Sequence, residues 1–531
     1  MNLDGVAVSP RGDEDLRRAT VLMAVGTALS RVTGFGRVVA LAYALGFVRL
    51  GDSYNLANTA PNIVYDLVLG GVLAATLVPV FVDELGRDDR AGAKAISAVS
   101  TVAGGILVVL SGLFALAAPW IIRLYLVANR TPSSADQRYV ATYLLRLFAP
   151  QVFLLGAITV TEALLTARRR FAVPKFTPVA NNLVAVAVLL AFPHVAQQAS
   201  LAALRHDHRA LLFLGLGTTA GYLVQAGLQI PPLRAAGIRL RPVWAPRHPA
   251  VATVLRLSGW LVGVAFANQV ALLVVTILAN HRSGDYSAYV AAYQFFLLPH
   301  AVFAVSVMTA LLPGLAASWS AGELDAIRRR LAGGLRVVLA GMVPASVGYG
   351  LLAGRIVGVG LEHGRLSAAA AHSTAEALAG FAVGLPGFSA FLLLTRAYQA
   401  MKDTRTMFAL YVVENAINVA LAVALYPAWH AAGLGLAWGI AYSVAAVVAW
   451  ADLRRRLGGA EGSALASSLG RVLGASAATA VAVGAVARVT GSGVISLGVS
   501  VVVGGAVYLG AARLLGVEEL SILLRTRRRT T

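Results

Sequence analysis

Apolar runs of membrane-spanning length recur along this chain from near its first residues to near its last, separated by short polar turns. A hydrocarbon core about 30 Å thick takes ~20 helical residues to cross, so the runs predict an all-α polytopic membrane protein with about 14 transmembrane helices. The first run covers residues 19–48 and the last 493–515. A hydrophobic fraction of 58%, a mean hydropathy of +0.74 and only 13% charged residues exclude a soluble domain of this length. Cysteine is absent, which rules out disulfides, thiol nucleophiles and thiolate metal sites. The net charge of +20 would suggest nucleic acid in a soluble protein. Here the placement of the charges decides against it. About 30 basic residues fall in the tails and in alternate loops, against about 8 on the opposite side, and the positive-inside rule then puts both termini in the cytoplasm. Affinity for anionic inner-leaflet lipid accompanies that charge. The polar first 18 residues precede an apolar run too long for a signal peptide, so no cleavage is expected.

The segment from Ser30 to Phe81 carries the strongest chemical signal. It reads as two spanning helices joined at Gly51-Asp52-Ser53, with Arg31 and Arg37 inside the first. At ~1.5 Å per residue, Arg31 lies about 16 Å in from Thr20 and Arg37 about 15 Å from Phe47. An intramembrane charge costs at least ~2.5–3.5 kcal/mol and normally faces a bundle interior or a wet cavity. Gly34 and Gly36 between the arginines permit a bend that would turn both guanidiniums one way. Arginine suits a diphosphate because its planar fork makes bidentate, charge-assisted contacts and stays protonated. Asp52 admits two readings, orienting an arginine or capping a helix N-terminus.

Elsewhere, Arg146 and Glu162 occupy the fourth span but are too far apart to pair, and Asn181-Asn182 lie inside the fifth. Residues 233–249 form the longest cytoplasmic connection, an Arg/Leu/Ile/Trp mixture that could lie in the interface. The seventh span carries Arg256 and Asn268-Gln269. The eighth carries Tyr293-Gln294 and His300, the latter open to proton coupling or to hydrogen-bonded packing. Asp403 is expected to cap the next helix, on which Glu414 and Asn418 share a face. That pair could hold a cation or polar substrate group, or bind a neighbouring helix. No Walker A, HExxH or GxSxG pattern occurs, so transport fits better than catalysis and no organic cofactor is expected.

SRVTGFGR, GDSYNLANTAPN and GGVLAATLVPVF, followed by RRRFAVPKFTPVANN, ALLPGLA and LTRAYQAMKDTRT, resemble the signature of the MurJ/MviN lipid II flippases of the multidrug/oligosaccharidyl-lipid/polysaccharide exporter superfamily. The resemblance covers nearly all of the chain. It implies two six-helix lobes around a central cationic cavity plus two C-terminal helices. The expected division is a cytoplasmic tail (1–18), an N-lobe (19–232), a linker (233–249), a C-lobe (250–452), two further helices (453–515) and a basic tail (516–531). It further implies that undecaprenyl-pyrophosphate-linked peptidoglycan precursor, lipid II, moves from inner to outer leaflet of the bacterial plasma membrane by alternating access. By motif position, Arg31, Arg37 and Asp52 match the family's functional residues, and Asn62 its PN pair. Asn62 and Gln294 are then expected at the sugar or peptide, and Glu414, Asn418 and His300 at gating or coupling to a membrane potential or an H+ or Na+ gradient. The chain departs from many relatives at Tyr65-Asp66, Gly70 and Gln294, which makes its cavity less cationic. Cell-wall synthesis proteins are candidate partners. Competing readings are a flippase for another polyprenyl-linked glycan, a cation-coupled multidrug exporter of the same superfamily, and a non-transporting scaffold for cell-wall enzymes.

Overall fold

A computed structural model describes residues 10–519 apart from 69–71, 87–88, 130, 132, 169, 197, 258, 460–461 and 492. The extreme tails, Gly70 and the side chains of Asp66 and Arg256 lie outside the described residues. Every regular element among them is helical. In chain order these are α1 (Pro10–Leu45), α2 (Arg49–Val68), α3 (Val72–Leu85), α4 (Asp89–Tyr125), α5 (Ser134–Phe148), α6 (Pro150–Ala167), α7 (Ala172–Val195), the single turn α8 (Leu201–Leu204), α9 (His208–Ala235) and α10 (Pro249–Leu257). There follow α11 (Gly259–Ala279), α12 (Asp285–Pro299), a π turn at His300–Ala304, α13 (Val305–Ser320), α14 (Leu324–Leu361), α15 (Ala368–Val383), α16 (Leu385–Ala400), α17 (Thr404–Arg456), α18 (Gly462–Val489) and α19 (Val494–Leu514).

Ten of the described helical spans are long and apolar enough to cross a membrane, and the pair α15–α16, bent by 48°, makes an eleventh. The 53 residues of α17 turn at His430 (φ 47, ψ −129), so two successive crossings are joined there without a loop. The protein is therefore an all-helical multi-pass membrane protein, consistent with the expected count of about fourteen spans. Its outward faces confirm the solvent it is built for. Val109, Leu113, Leu116 and Trp120 of α4 are each more than half exposed, as are Val501 and Val502 of α19. An apolar belt of that kind is stable against lipid and a liability in water.

The chain parts into two compact units, one of residues 1–44, 57–122 and 135–262, the other of 45–56, 123–134 and 263–531. In the first, α7 and α6 pack along α9, and α3 along α6. Close approach needs small residues: a β-carbon at Gly217 would meet Val188, and one at Gly221 would meet the backbone of Asn181 at 3.0 Å. In the second, α15 and α16 pack along α17, and α14 packs on α15 and α18. Gly380 and Gly384 face Gly435 and Gly439, two small-xxx-small stripes pressed backbone to backbone. A β-carbon at Gly380 would lie 2.6 Å from the Ala432 carbonyl, and one at Gly384 would overlap Gly439. Beside them a dense aromatic cluster forms: the rings of Phe296, Phe381, Phe388 and Tyr442 surround Trp438 at centroid distances of 4.3–5.5 Å.

Candidate functional site

In the first unit, α1 runs unbroken through Gly34 and Gly36 for 36 residues. Its orientation is set by α7. The Asn182 amide donates to the Ser30 carbonyl and to the Thr33 hydroxyl, each at 3.1 Å. A β-carbon at Gly26 would press on Lys175 and Phe176 at 2.9–3.0 Å. Residues 26, 30, 33 and 37 fall on one helical stripe. Arg37 continues the stripe that faces α7; it is half-buried and already engaged within the fold. Arg31 lies off the stripe and is exposed, and among the described residues it makes no ion pair. On α2, Asn58, Asn62 and Tyr65 share a second polar face in the same unit. Pro61 removes one helical donor there, and the Asn62 amide donates to the Asn58 carbonyl at 2.8 Å. The buried Asn58 Oδ1 has no partner among the described residues. Tyr65 is anchored to Thr159 of α6 by a 2.7 Å hydroxyl contact.

Asp52 belongs to the second unit, and its carboxylate caps a helix, though not its own. Gly284 precedes α12 with φ +89°, a left-handed backbone, and glycine has no side chain with which to cap. The completely buried Asp52 fills that role from α2. Its Oδ2 accepts from the Gly284 amide at 2.8 Å, and its Oδ1 accepts from the Ser287 amide at 3.0 Å and hydroxyl at 2.8 Å. Asn55 donates in turn to the Ser287 hydroxyl at 3.1 Å. The negative charge also meets the positive end of the α12 dipole. Next to it, Arg49 donates to the carbonyls of Asn280 and His281 at the end of α11, at 2.7 and 3.0 Å. One short segment of α2 thus ties off both ends of the α11–α12 turn.

The other expected residues lie deeper in the second unit. Glu414 is buried, and neither carboxyl oxygen has a hydrogen-bond partner among the described residues; the Asn418 Oδ1 one turn on is equally unpartnered. Between them Asn415 donates to Asn268 of α11 at 2.8 Å. Buried acceptors left open in this way call for a proton, a cation or water. His300 opens the π turn after Pro299, bonds the Ser389 hydroxyl at 2.9 Å and packs its ring, tilted by 48°, at 4.6 Å from that of Phe388. Gln294 is exposed on α12. No group of three or more His, Cys, Asp or Glu residues is placed to hold a metal ion among the described residues.

Arg355 was not singled out by the sequence reading. It projects from α14 onto the α18–α19 turn, where it donates to the carbonyls of Ala487 and Thr490 and to the Ser500 hydroxyl, the last two at 3.1 and 3.3 Å. These are the orphan carbonyls of a helix C-terminus, satisfied by an arginine from elsewhere. The available signal was an arginine within the apolar C-terminal half of α14, well beyond the charged first turns.

Comparison with known proteins agrees with this architecture. The chain resembles the lipid II flippase MurJ of Burkholderia cenocepacia at 27% identity over 403 residues, covering 74% of this chain and 75% of that one. It resembles the probable lipid II flippase MurJ of Haemophilus influenzae at 26% over 408 residues, covering 74% and 78%. Among solved structures, a lipid II flippase MurJ in an inward closed conformation superimposes with a TM-score of 0.76 at 19% identity, covering 93% of this chain and 98% of that one. An inward-facing multidrug resistance transporter of the MATE family, in the MOP superfamily, reaches 0.66 at 12% identity, covering 84% and 98%. The family model for the lipid II flippase MurJ matches residues 41–503, and the chain belongs to that family.

Proposed function

We propose that this protein is a transporter that carries lipid II from the inner to the outer leaflet of a bacterial plasma membrane by alternating access, with both termini cytoplasmic. Arg31 carries the reading. It is a guanidinium within the apolar part of α1, after the charged residues 11–18, exposed and in no ion pair among the described residues. A charge held there at a cost of at least ~2.5 kcal/mol implies a visiting counter-charge, and a diphosphate matches the donor fork. Arg37 adds a second positive charge on the same helix. Asn62 and Gln294 supply uncharged polar contacts for sugar or peptide. Asp52 acts on gating through the N-terminus of α12, the helix its carboxylate holds. Glu414 and Asn418 are the groups for coupling to a proton or sodium gradient, since their open acceptors take either ion, and His300, hydrogen-bonded to Ser389 of α16, is a further candidate for gating or coupling. Cell-wall synthesis proteins are the expected partners downstream.

The test is Arg31→Ala in cells depleted of the wild-type protein, reading lipid II exposed on the outer leaflet. Loss of charge-assisted hydrogen bonds worth about 1.5–3 kcal/mol predicts a fall of roughly 10- to 100-fold. Unchanged exposure with a normally inserted variant would overturn the assignment.

A further inference from the structure

The connection between α9 and α10 is an extended strap along the first half of α4. The Arg241 amide donates to the Ser97 hydroxyl at 3.3 Å and the Val243 amide to Thr101 at 3.0 Å. Trp244 then lies across Gly105 so closely that a β-carbon there would come within 2.5 Å of the indole, yet the ring is 66% exposed. The position on α4 is telling. Its span runs for 35 residues from Ala91 to Tyr125, about 20 Å more than a 30 Å core needs. Lys94, Ser97, Ser100 and Thr101 occupy the surplus, and from Val102 to Ile122 the helix is apolar apart from Ser111. Trp244 therefore marks the level where hydrocarbon gives way to headgroups, which is where exposed tryptophans settle. On the polar side of that level, the strap closes a cavity of about 270 Å³. Arg168 and Arg239 line it with Ser97, Ile238, Leu240 and one acid, Glu84, which interacts within the fold. Leu240 is partly exposed at its rim, and Arg241, next along the strap, is exposed.

We propose that this strap and cavity form a binding site for the phosphate headgroup of an anionic membrane phospholipid, gripped by Arg168 and Arg239 while Trp244 lies against the headgroup-proximal part of its acyl chains. The occupant follows from an exposed indole at the hydrocarbon boundary with exposed basic groups on its polar side, the order in which a phospholipid presents its chains and its phosphate. A free anion would use the arginines alone, and a neutral lipid the indole alone. The site takes no part in the transport proposed above.

The test uses the full-length protein in nanodiscs, where both faces meet the same lipid and orientation is immaterial. The Trp244 signal is isolated by subtracting Trp244→Phe. Brominated phosphatidylglycerol should quench it more strongly than brominated phosphatidylcholine at equal bromine density. Arg168→Gln or Arg239→Gln should each lower that preference about fivefold, and rising salt should lower it further. Quenching by brominated phosphatidylcholine in these variants reports that the strap is intact. Equal quenching by the two lipids, no quenching by either, or a preference unmoved in the double arginine variant would overturn the proposal. So would its abolition by millimolar inorganic phosphate, which would make the site one for a free anion.

Discussion

Removing the carboxylate at position 52 tests how the α11–α12 turn is held. In Asp52→Ala the amides of Gly284 and Ser287 lose their acceptor in a completely buried place. The Ser287 hydroxyl also loses its acceptor, but it can rotate. Each orphaned buried donor costs ~1–3 kcal/mol, and loss of the cap and its favourable charge at the helix terminus falls within the same sum. The local opening free energy should then drop by about 3–4 kcal/mol. With a tenfold change per ~1.4 kcal/mol, amide exchange at Gly284 and Ser287 should quicken by roughly 10²- to 10³-fold. Asp52→Asn keeps one acceptor oxygen and loses the charge, so about tenfold is expected. Hydrogen exchange resolved over peptides 280–290, with α14 as internal reference, reads this directly. Unchanged exchange in an Asp52→Ala protein that still inserts would show that the cap contributes nothing.

Two other outcomes follow from contacts described above. Arg355→Ala should free the Ala487 and Thr490 carbonyls and make the α18–α19 turn more susceptible to limited proteolysis, while Arg355→Lys recovers only part of the protection because an ammonium cannot span three acceptors as a guanidinium does. At the α16–α17 turn, burial alone would raise the Asp403 carboxyl, but hydrogen bonds from the Thr406 hydroxyl and amide and from Arg456 outweigh it and hold the group below the usual carboxylate range. A depressed folded pKa means that this contribution is complete above the ordinary value of about 4 and is lost as pH falls through the folded one. Protection of the turn, measured as exchange relative to the intrinsic rate at each pH, should therefore fall on acidification below about pH 4, and Asp403→Asn should remove that pH-dependent change.

The helical, multi-pass architecture was legible because it rests on the length and sequence of apolar runs, a property each stretch carries by itself. The Asp403 cap was legible for the same reason, its partner Thr406 being three residues away. The pairing of Glu414 with Asn418 on one face follows from helical spacing alone. Partners far along the chain were not legible. Asp52 looked equally suited to an arginine or to a helix start, and its actual donors lie 232 and 235 residues on. No local pattern announces that Gly284, lacking a side chain, must borrow a cap. Arg355 escaped notice for a related reason: its acceptors are backbone carbonyls, which any sequence possesses. The two glycine stripes were visible as residues but not as partners, since small residues abound in every span.

Those stripes restrict how the second unit can move. Where Gly384 meets Gly439 and Gly380 meets the Ala432 carbonyl, peptide groups touch with no side chain between them to flex or change rotamer. Sliding one helix past the other by a single residue would drive a methyl group into a carbonyl oxygen. The α15–α17 contact therefore behaves as a weld, and bending must be taken up at joints of other construction. One such joint is the positive-φ turn at His430, beyond the end of the glycine stripe.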